Sequence, residues 1–316
     1  MVDSLFRAYA PLVIWISLGL LLFRFIPANF SVQLGRGLYW VGVPLQSIAF
    51  ARETQLSQDI RLVPLVVLEA SLLSMGLAFL SWWGWHKFYP PVEQSLQAQP
   101  EAERRSRLGS FILAAMLGNT GFIGMALANV LIQPAYWNWA VLYSVGGTIT
   151  SILAVLIASH FGQRGGTLWW IPFRDAATLP SLWAFGVGLV TQDMPLPPVL
   201  ESGLQAMVWV VFASALLLVG LRLGSLNGWS SLKLALVPTL IKMLVVPLLI
   251  GVEATYLGLT GEPRLVLVLM SGAPTGLATL ILAEVYDLDR EILTGAIALS
   301  LVGLLLVLPL WIAWFS

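Results

Sequence analysis

The sequence predicts an all-α integral membrane protein of ten transmembrane helices, arranged as two inverted five-helix repeats, with the fourth and ninth helices interrupted. Three observations predict it. Of 316 residues, 58% are hydrophobic and only 10% are charged. A soluble domain carries roughly 25% charged residues, so this chain cannot cover a water-facing surface. Ten apolar candidate segments follow one another, the sixth of them short. Two of them hold stretches that a lipid-facing helix avoids: Leu117-Gly118-Asn119-Thr120-Gly121-Phe122-Ile123-Gly124 and Ser271-Gly272-Ala273-Pro274-Thr275-Gly276-Leu277.

A span needs about 20 mainly apolar residues. The first segment, 9–25, has no basic stretch before it and no small-residue cleavage site after it, and reads as a retained span. Segments 30–50 and 60–85 follow. Residues 86–107, with Pro90, Pro91 and Pro100, read as the longest hydrophilic loop. Segments 108–132 and 136–161 complete the first repeat, residues 1–161. A connector, 162–178, carries Arg164 and Arg174 and divides the chain. The second repeat, 179–316, holds segments 179–191, 199–219, 232–257, 264–285 and 292–314.

Ten spans place both termini on one side. The connections on the opposite side, with their flanks, hold Arg24, Arg36, Lys87, Arg104, Arg105, Arg107, Arg164, Arg174, Arg222, Lys233 and Arg290. The terminal side holds only Arg7, Arg52, Arg61 and Arg264. Basic residues favour the cytoplasm, so both termini are expected outside it, with the protein in the cytoplasmic membrane. Tryptophans at predicted segment ends (Trp82, Trp83, Trp85, Trp137, Trp139, Trp169, Trp170, Trp311, Trp314) read as interfacial anchors.

The duplication rests on order. Leu34-Gly35-Arg36-Gly37-Leu38 opens the second segment and Leu200-Glu201-Ser202-Gly203-Leu204 the seventh. Val63-Pro64 then Glu69 lies in the third, and Val237-Pro238 then Lys242 in the eighth. Asn119-Thr120-Gly121 in the fourth answers Pro274-Thr275-Gly276 in the ninth. An odd number of spans per half makes the second half inverted.

Unwound backbone in a membrane must be buried in protein or line a wet cavity. Both interruptions fall near mid-membrane at about 1.5 Å of rise per residue. Half-helices starting after Gly121 and Gly276 turn positive N-termini toward one place, which favours a carboxylate or another anion. Asn119 and Thr275 are placed to cap those ends or to bond the ligand. The carbonyl ends of the preceding halves suit a cation. The alternative is a pair of small-residue packing contacts; two matched motifs at matched depth favour the site.

Gly118-Asn119-Thr120-Gly121-Phe122 and Ala273-Pro274-Thr275-Gly276, followed by Ala283-Glu284-Val285-Tyr286, resemble the auxin efflux carrier family, which includes the plant PIN carriers and their bacterial relatives. The resemblance covers most of the chain. It implies a bile-acid-symporter type of fold, in which a scaffold domain and a transport domain move against each other and helices four and nine cross. It also implies a small organic anion bound at the crossing by Asn119, with Pro274 setting the second break, and a homodimer through the scaffold half. The chain departs from the family pattern at Ala126, where relatives commonly carry proline, so the first break must rest on Gly118, Gly121 and Gly124.

Glu69 and Lys242 are ionisable groups within segments, where they need pairing or hydration. One reading is an ion pair joining the halves; the other is a proton-coupling site, which the resemblance favours slightly. Gln46 and Ser47, after Pro44, face the same cavity in one reading and pack locally in the other. Glu284, Asp287, Asp289 and Glu291 read as a solvated end. The substrate-site candidates are therefore Gln46, Ser47, Asn119, Thr120, Gly121, Pro274, Thr275 and Gly276.

There are no cysteines and net charge is zero, so nothing points to thiolate metal sites or nucleic acid. His86 and His160 lack metal-ligand spacing. No phosphate loop or nucleophile–base pair stands out, and no cofactor is expected. The reading is a secondary transporter of a small organic anion working by alternating access, not an enzyme, with the lipid bilayer as its surroundings. The rivals are a sodium-coupled symporter on the same fold and a non-transporting membrane protein or enzyme.

Overall fold

A computed structural model describes residues 2–53, 59–88, 100–162, 170, 177–178, 180–224 and 230–316. Among these residues it is helical apart from turns and two interruptions, with no strand. The order is α1 (Val2–Leu22), α2 (Ala28–Gly37), α3 (Val43–Glu53), α4 (Val63–Phe88), α5 (Glu101–Met116), α6 (Met125–Leu131) and α7 (Trp137–Phe161). Then come α8 (Pro180–Val190), α9 (Pro198–Gly224), α10 (Ser230–Leu240), α11 (Val246–Tyr256), α12 (Glu262–Ser271), α13 (Ala278–Tyr286) and α14 (Arg290–Phe315). π-helical turns Leu38–Gly42 and Ile241–Val245 join α2 to α3 and α10 to α11 without leaving the helical region; a third, Thr120–Gly124, leads into α6.

Among the described residues, Val63–Gly84, Pro134–Phe161, Pro198–Gly224, Leu232–Tyr256 and Arg290–Phe315 are long and apolar enough to cross a membrane; Tyr9–Leu22 and Thr120–Leu131 are apolar but shorter. Large apolar side chains on these and neighbouring helices face outward, among them Ile14, Leu21, Leu65, Leu80, Val199, Trp209, Leu306 and Trp314. So many large apolar side chains on the exterior suit lipid and not water.

The helices form two groups. In one, α1 packs along α9, α8 along α3, and α2 and α3 against α9. Gly19 and Gly220 let α1 and α9 touch backbone to backbone: a methyl group on either would strike the other helix's main chain. In the other group, α4, α5 and α7 pack together, α10 and α5 lie against α14, and α11 against α12. The densest core lies in this second group, around Phe111, Leu113, Met116, Leu127, Met243, Ile250, Leu267 and Met270. Links between the groups are fewer, such as α1 to α6 and α3 to α7.

Three readings from the sequence are corrected. Residues 101–107, placed in the hydrophilic loop, are the first turns of α5. Pro100 precedes the helix, and Glu101 and Glu103 in its first turn favour its positive end. Trp82, Trp139 and Trp311 are buried core residues and not interfacial anchors, whereas Trp83, Trp170 and Trp314 are exposed. Trp82 packs edge-on against Phe111. The acidic end is engaged and not merely solvated: Glu284 pairs with Arg222 at 3.5 Å, and Asp289 caps α14 and meets Arg107 at 3.3 Å. The side chains of Trp85 and His86, and all of Trp169, lie outside the described residues.

The two interruptions and the cavity beside them

The first interruption is short. After Met116 the chain turns extended at Leu117 (φ −87°, ψ 101°), passes Gly118 and Asn119, and re-enters helix at Thr120. Ala126 sits inside the resumed helix, so the break needs no proline there. The second runs from Gly272 to Leu277, through Pro274, before α13 begins at Ala278.

Each interruption frees buried backbone groups that must find partners. They find them on each other. The Asn119 amide donates to the Pro274 carbonyl at 2.6 Å, and the Gly276 amide donates to the Leu117 carbonyl at 2.8 Å. Gly118 and Thr275 form the single antiparallel bridge between them. The Thr275 amide donates to Ser300 Oγ of α14 at 3.1 Å, and the Thr275 hydroxyl donates to the Ala114 carbonyl at 3.0 Å. Gly276 suits this close approach: a methyl group there would lie 3.1 Å from the Gly118 carbonyl oxygen, tighter than an ordinary contact.

Beside the junction lies a cavity of about 190 Å³. Val43, Gln46, Ser47, Phe50 and Phe185 line it from the first group of helices. Asn119, Thr120, Gly121, Tyr143, Ser144, Thr150, Ser151, Lys242 and Gly276 are among those lining it from the second. The structure thus brings Gln46, Ser47, Asn119, Thr120, Gly121, Gly276 and Lys242 to one place. Pro274 and Thr275 lie behind it in the paired backbone, and the Thr275 hydroxyl is committed to Ala114, not to a helix end.

The Asn119 side chain is 6% exposed and has no hydrogen-bond partner among the described residues. The Tyr143 phenol, 4% exposed, has none either. Gln46 donates from Nε2 to the Gly121 carbonyl at 2.7 Å, which ties the two helix groups together across the cavity. The Ser47 hydroxyl returns to the Val43 carbonyl. Lys242 is 5% exposed, sits in the π-helical turn between α10 and α11, and donates to the Met116 carbonyl at 3.3 Å.

Glu69 is not beside Lys242. Its side chain faces Glu253 of α11, with Tyr143 within electrostatic reach. Sequence reasoning missed Glu253 and the polar face of α7. The signal for the latter was present: Ser144, Gly147 and Ser151 recur three and four residues apart in an otherwise apolar helix. The Ser71 and Thr150 hydroxyls, 2.7 Å apart, join α4 to that face. A second cavity, of about 280 Å³, shares Gln46 and Phe50 with the first and is walled by Asn129, Trp137, Gln205, Trp209 and Phe212.

Comparison with known proteins follows the same direction. Residues 165–312 match the model of a family described as membrane transport protein. An uncharacterized transporter from Methanocaldococcus jannaschii is 27% identical over 229 residues, covering 65% of this chain and 68% of that protein. An uncharacterized transporter from Methanothermobacter thermautotrophicus is 24% identical over 258 residues, covering 80% of this chain and 78% of that protein. The family likeness read from the residues is met by this match and by both relatives.

Proposed function

We propose, from the membrane transport family match and the cavity at the two interruptions, that this chain is a secondary active transporter of a small organic anion, a carboxylate, across the cytoplasmic membrane. One observation carries the reading: the buried Lys242 amine and the Asn119 amide, which bonds to no other described residue, line one cavity at the junction of the interrupted helices. An ionisable group this deep in a membrane marks a functional site by default. A carboxylate accepts a hydrogen bond from the amide and is drawn by the ammonium. At about 190 Å³ the cavity falls below the roughly 300–1,000 Å³ of drug-sized ligands, so the cargo is small.

Alternating access has a physical basis in the two helix groups. The cavity lies between them, so sliding one past the other moves its opening from one side to the other. Ten spans in two inverted repeats, with both termini outside the cytoplasm, belong to this proposal, as does a homodimer through the first group. Proton linkage is assigned to Glu69 and Glu253. The transporter names of the family and relatives argue for transport over catalysis.

The test is a thermal-shift screen of purified protein with organic acids against their neutral amides. Acids are expected to raise the unfolding temperature, and Asn119→Ala is expected to lose the effect while remaining folded. A response to neutral compounds alone removes the carboxylate reading.

A further inference from the structure

Two cavities lie in the seam between the helix groups, and among the described residues only Gln46 and Phe50 line both. The second, of about 280 Å³, has α3 and α9 on one side and α6 and α7 on the other, so both groups bound it, as they do the first. It reaches the surface, since Gln205 and Trp209 on its α9 wall are exposed. Its described lining holds three amides, Gln46, Asn129 and Gln205, and no ionisable group. A space of that size with such amides can hold water. Without a charge of its own it neither traps nor repels an anion.

The partition between the two cavities is slight. Gln46 and Phe50 are four residues apart and share one face of α3. Gln46 is 4% exposed and reaches across the seam, where Nε2 donates to the Gly121 carbonyl at 2.7 Å. Its Oε1 accepts from no described residue. The other flank of the anion cavity is closed more firmly. A cavity of only about 80 Å³ adjoins it there, and the lining they share is apolar: Val43, Phe122, Leu277 and Ala278. Arg222, on the wall of that small cavity, pairs across the seam with Glu284 at 3.5 Å. Opening that flank parts apolar packing and an ion pair. Opening the Gln46 flank breaks one neutral hydrogen bond.

We infer that Gln46 is a gate and not a cargo ligand: its bond to Gly121 bars the first cavity from the second, and the second cavity is the entry to the first. In this conformation a solute reaches the junction past Asn129 and Gln205, and meets the Lys242 charge only once Gln46 has swung aside. That the solute is an organic anion rests on the function proposed above; the route does not.

The experiment reads thiol access in the purified full chain with no organic anion present. The chain has no cysteine, so Ser144→Cys reports the first cavity and Val208→Cys the second. The probe is N-ethylmaleimide, small and uncharged. It is expected to label Val208→Cys faster than Ser144→Cys. Gln46→Ala and Gln46→Met, which both lack the donor, are each expected to speed labelling of Ser144→Cys by about 2- to 12-fold, the weight of one neutral hydrogen bond, and to leave Val208→Cys unchanged. Asn129→Trp, which fills the second cavity, is expected to slow labelling of Ser144→Cys whether or not Gln46 is present. Folded Gln46 variants that label Ser144→Cys at the original rate overturn the inference. So does labelling of Ser144→Cys that Asn129→Trp does not slow, and this arm decides the matter even where neither Gln46 variant folds. Since no anion is present, either failure leaves the anion reading standing, and a failed acid screen leaves the gate standing.

Discussion

Asn119 carries two jobs in adjacent atoms: its backbone amide holds the Pro274 carbonyl, and its side-chain amide faces the cavity. Asn119→Ala therefore leaves the junction closed and removes only the cavity-facing group. A lost charge-assisted hydrogen bond of roughly 1.5–3 kcal/mol predicts about a 10- to 100-fold weaker acid affinity, measured by calorimetry, with helix content unchanged by circular dichroism. Gly276→Ala does the reverse. Its added methyl group presses on Gly118 backbone and strains the two buried hydrogen bonds, whose groups cost about 1–3 kcal/mol each if left wholly unsatisfied. A lower unfolding temperature is expected for the glycine variant and not for the asparagine variant. Glu69→Gln is expected to abolish the pH dependence of transport while the protein stays folded. Unchanged pH dependence counts against proton linkage at the Glu69–Glu253 pair. Asn119, Gln46 and Lys242 were legible because a polar side chain in an apolar segment has few bland explanations. Tyr143 was not, since an isolated tyrosine in a membrane segment looks like any aromatic. Nor was Glu253, because it falls near a segment end where a carboxylate looks solvated.

At the scale of elements, the interruptions were readable and their lengths were not. Three glycines and an asparagine announced a break near residue 118, yet the chain resumes helix at Thr120, through a π-helical turn, and not after Gly121. Composition marks where a helix is weakened; hydrogen bonds to the opposite strand decide where it stops. The start of α5 was misplaced for a related reason. Charged residues 101–107 ended the apolar segment but not the helix, because acidic groups at a helix N-terminus are stabilising there. Tryptophan misled in the same way: the amphipathic ring that suits a membrane interface also fills a core, and only packing tells Trp311 from Trp314. The paired breaks predict slow hydrogen exchange at Asn119 and Gly276, slower than at the ends of α6 and α13. Fast exchange at both, read by mass spectrometry, means the two backbones do not stay joined.

For the whole molecule, two helix groups enclose a cavity between them, and in the proposed mechanism the group holding both interruptions is the moving part. Among the described residues few polar links cross between the groups, chiefly Gln46 to Gly121, Arg222 to Glu284 and the Tyr9 hydroxyl to the Leu304 and Leu305 carbonyls of α14, so relative motion breaks little. The division was expected only from the family resemblance and could not be read from composition or spacing, because α1, α3, α8 and α9 come from both halves of the chain and meet only in the fold. The charge count predicts that a tag after Ser316 is cleaved by protease added outside intact cells; a protected tag reverses the orientation. The account's central claim is that a small organic anion occupies the cavity at the junction. The chain has no cysteine, so Ser144→Cys, on the cavity wall, supplies the one thiol. The measurement is the rate at which a thiol-reactive reagent labels it, with and without an acid that stabilises the protein. The account predicts that the acid slows labelling of Ser144→Cys and leaves Val208→Cys, in the neighbouring cavity, unaffected. Equal labelling of Ser144→Cys with and without the acid contradicts it.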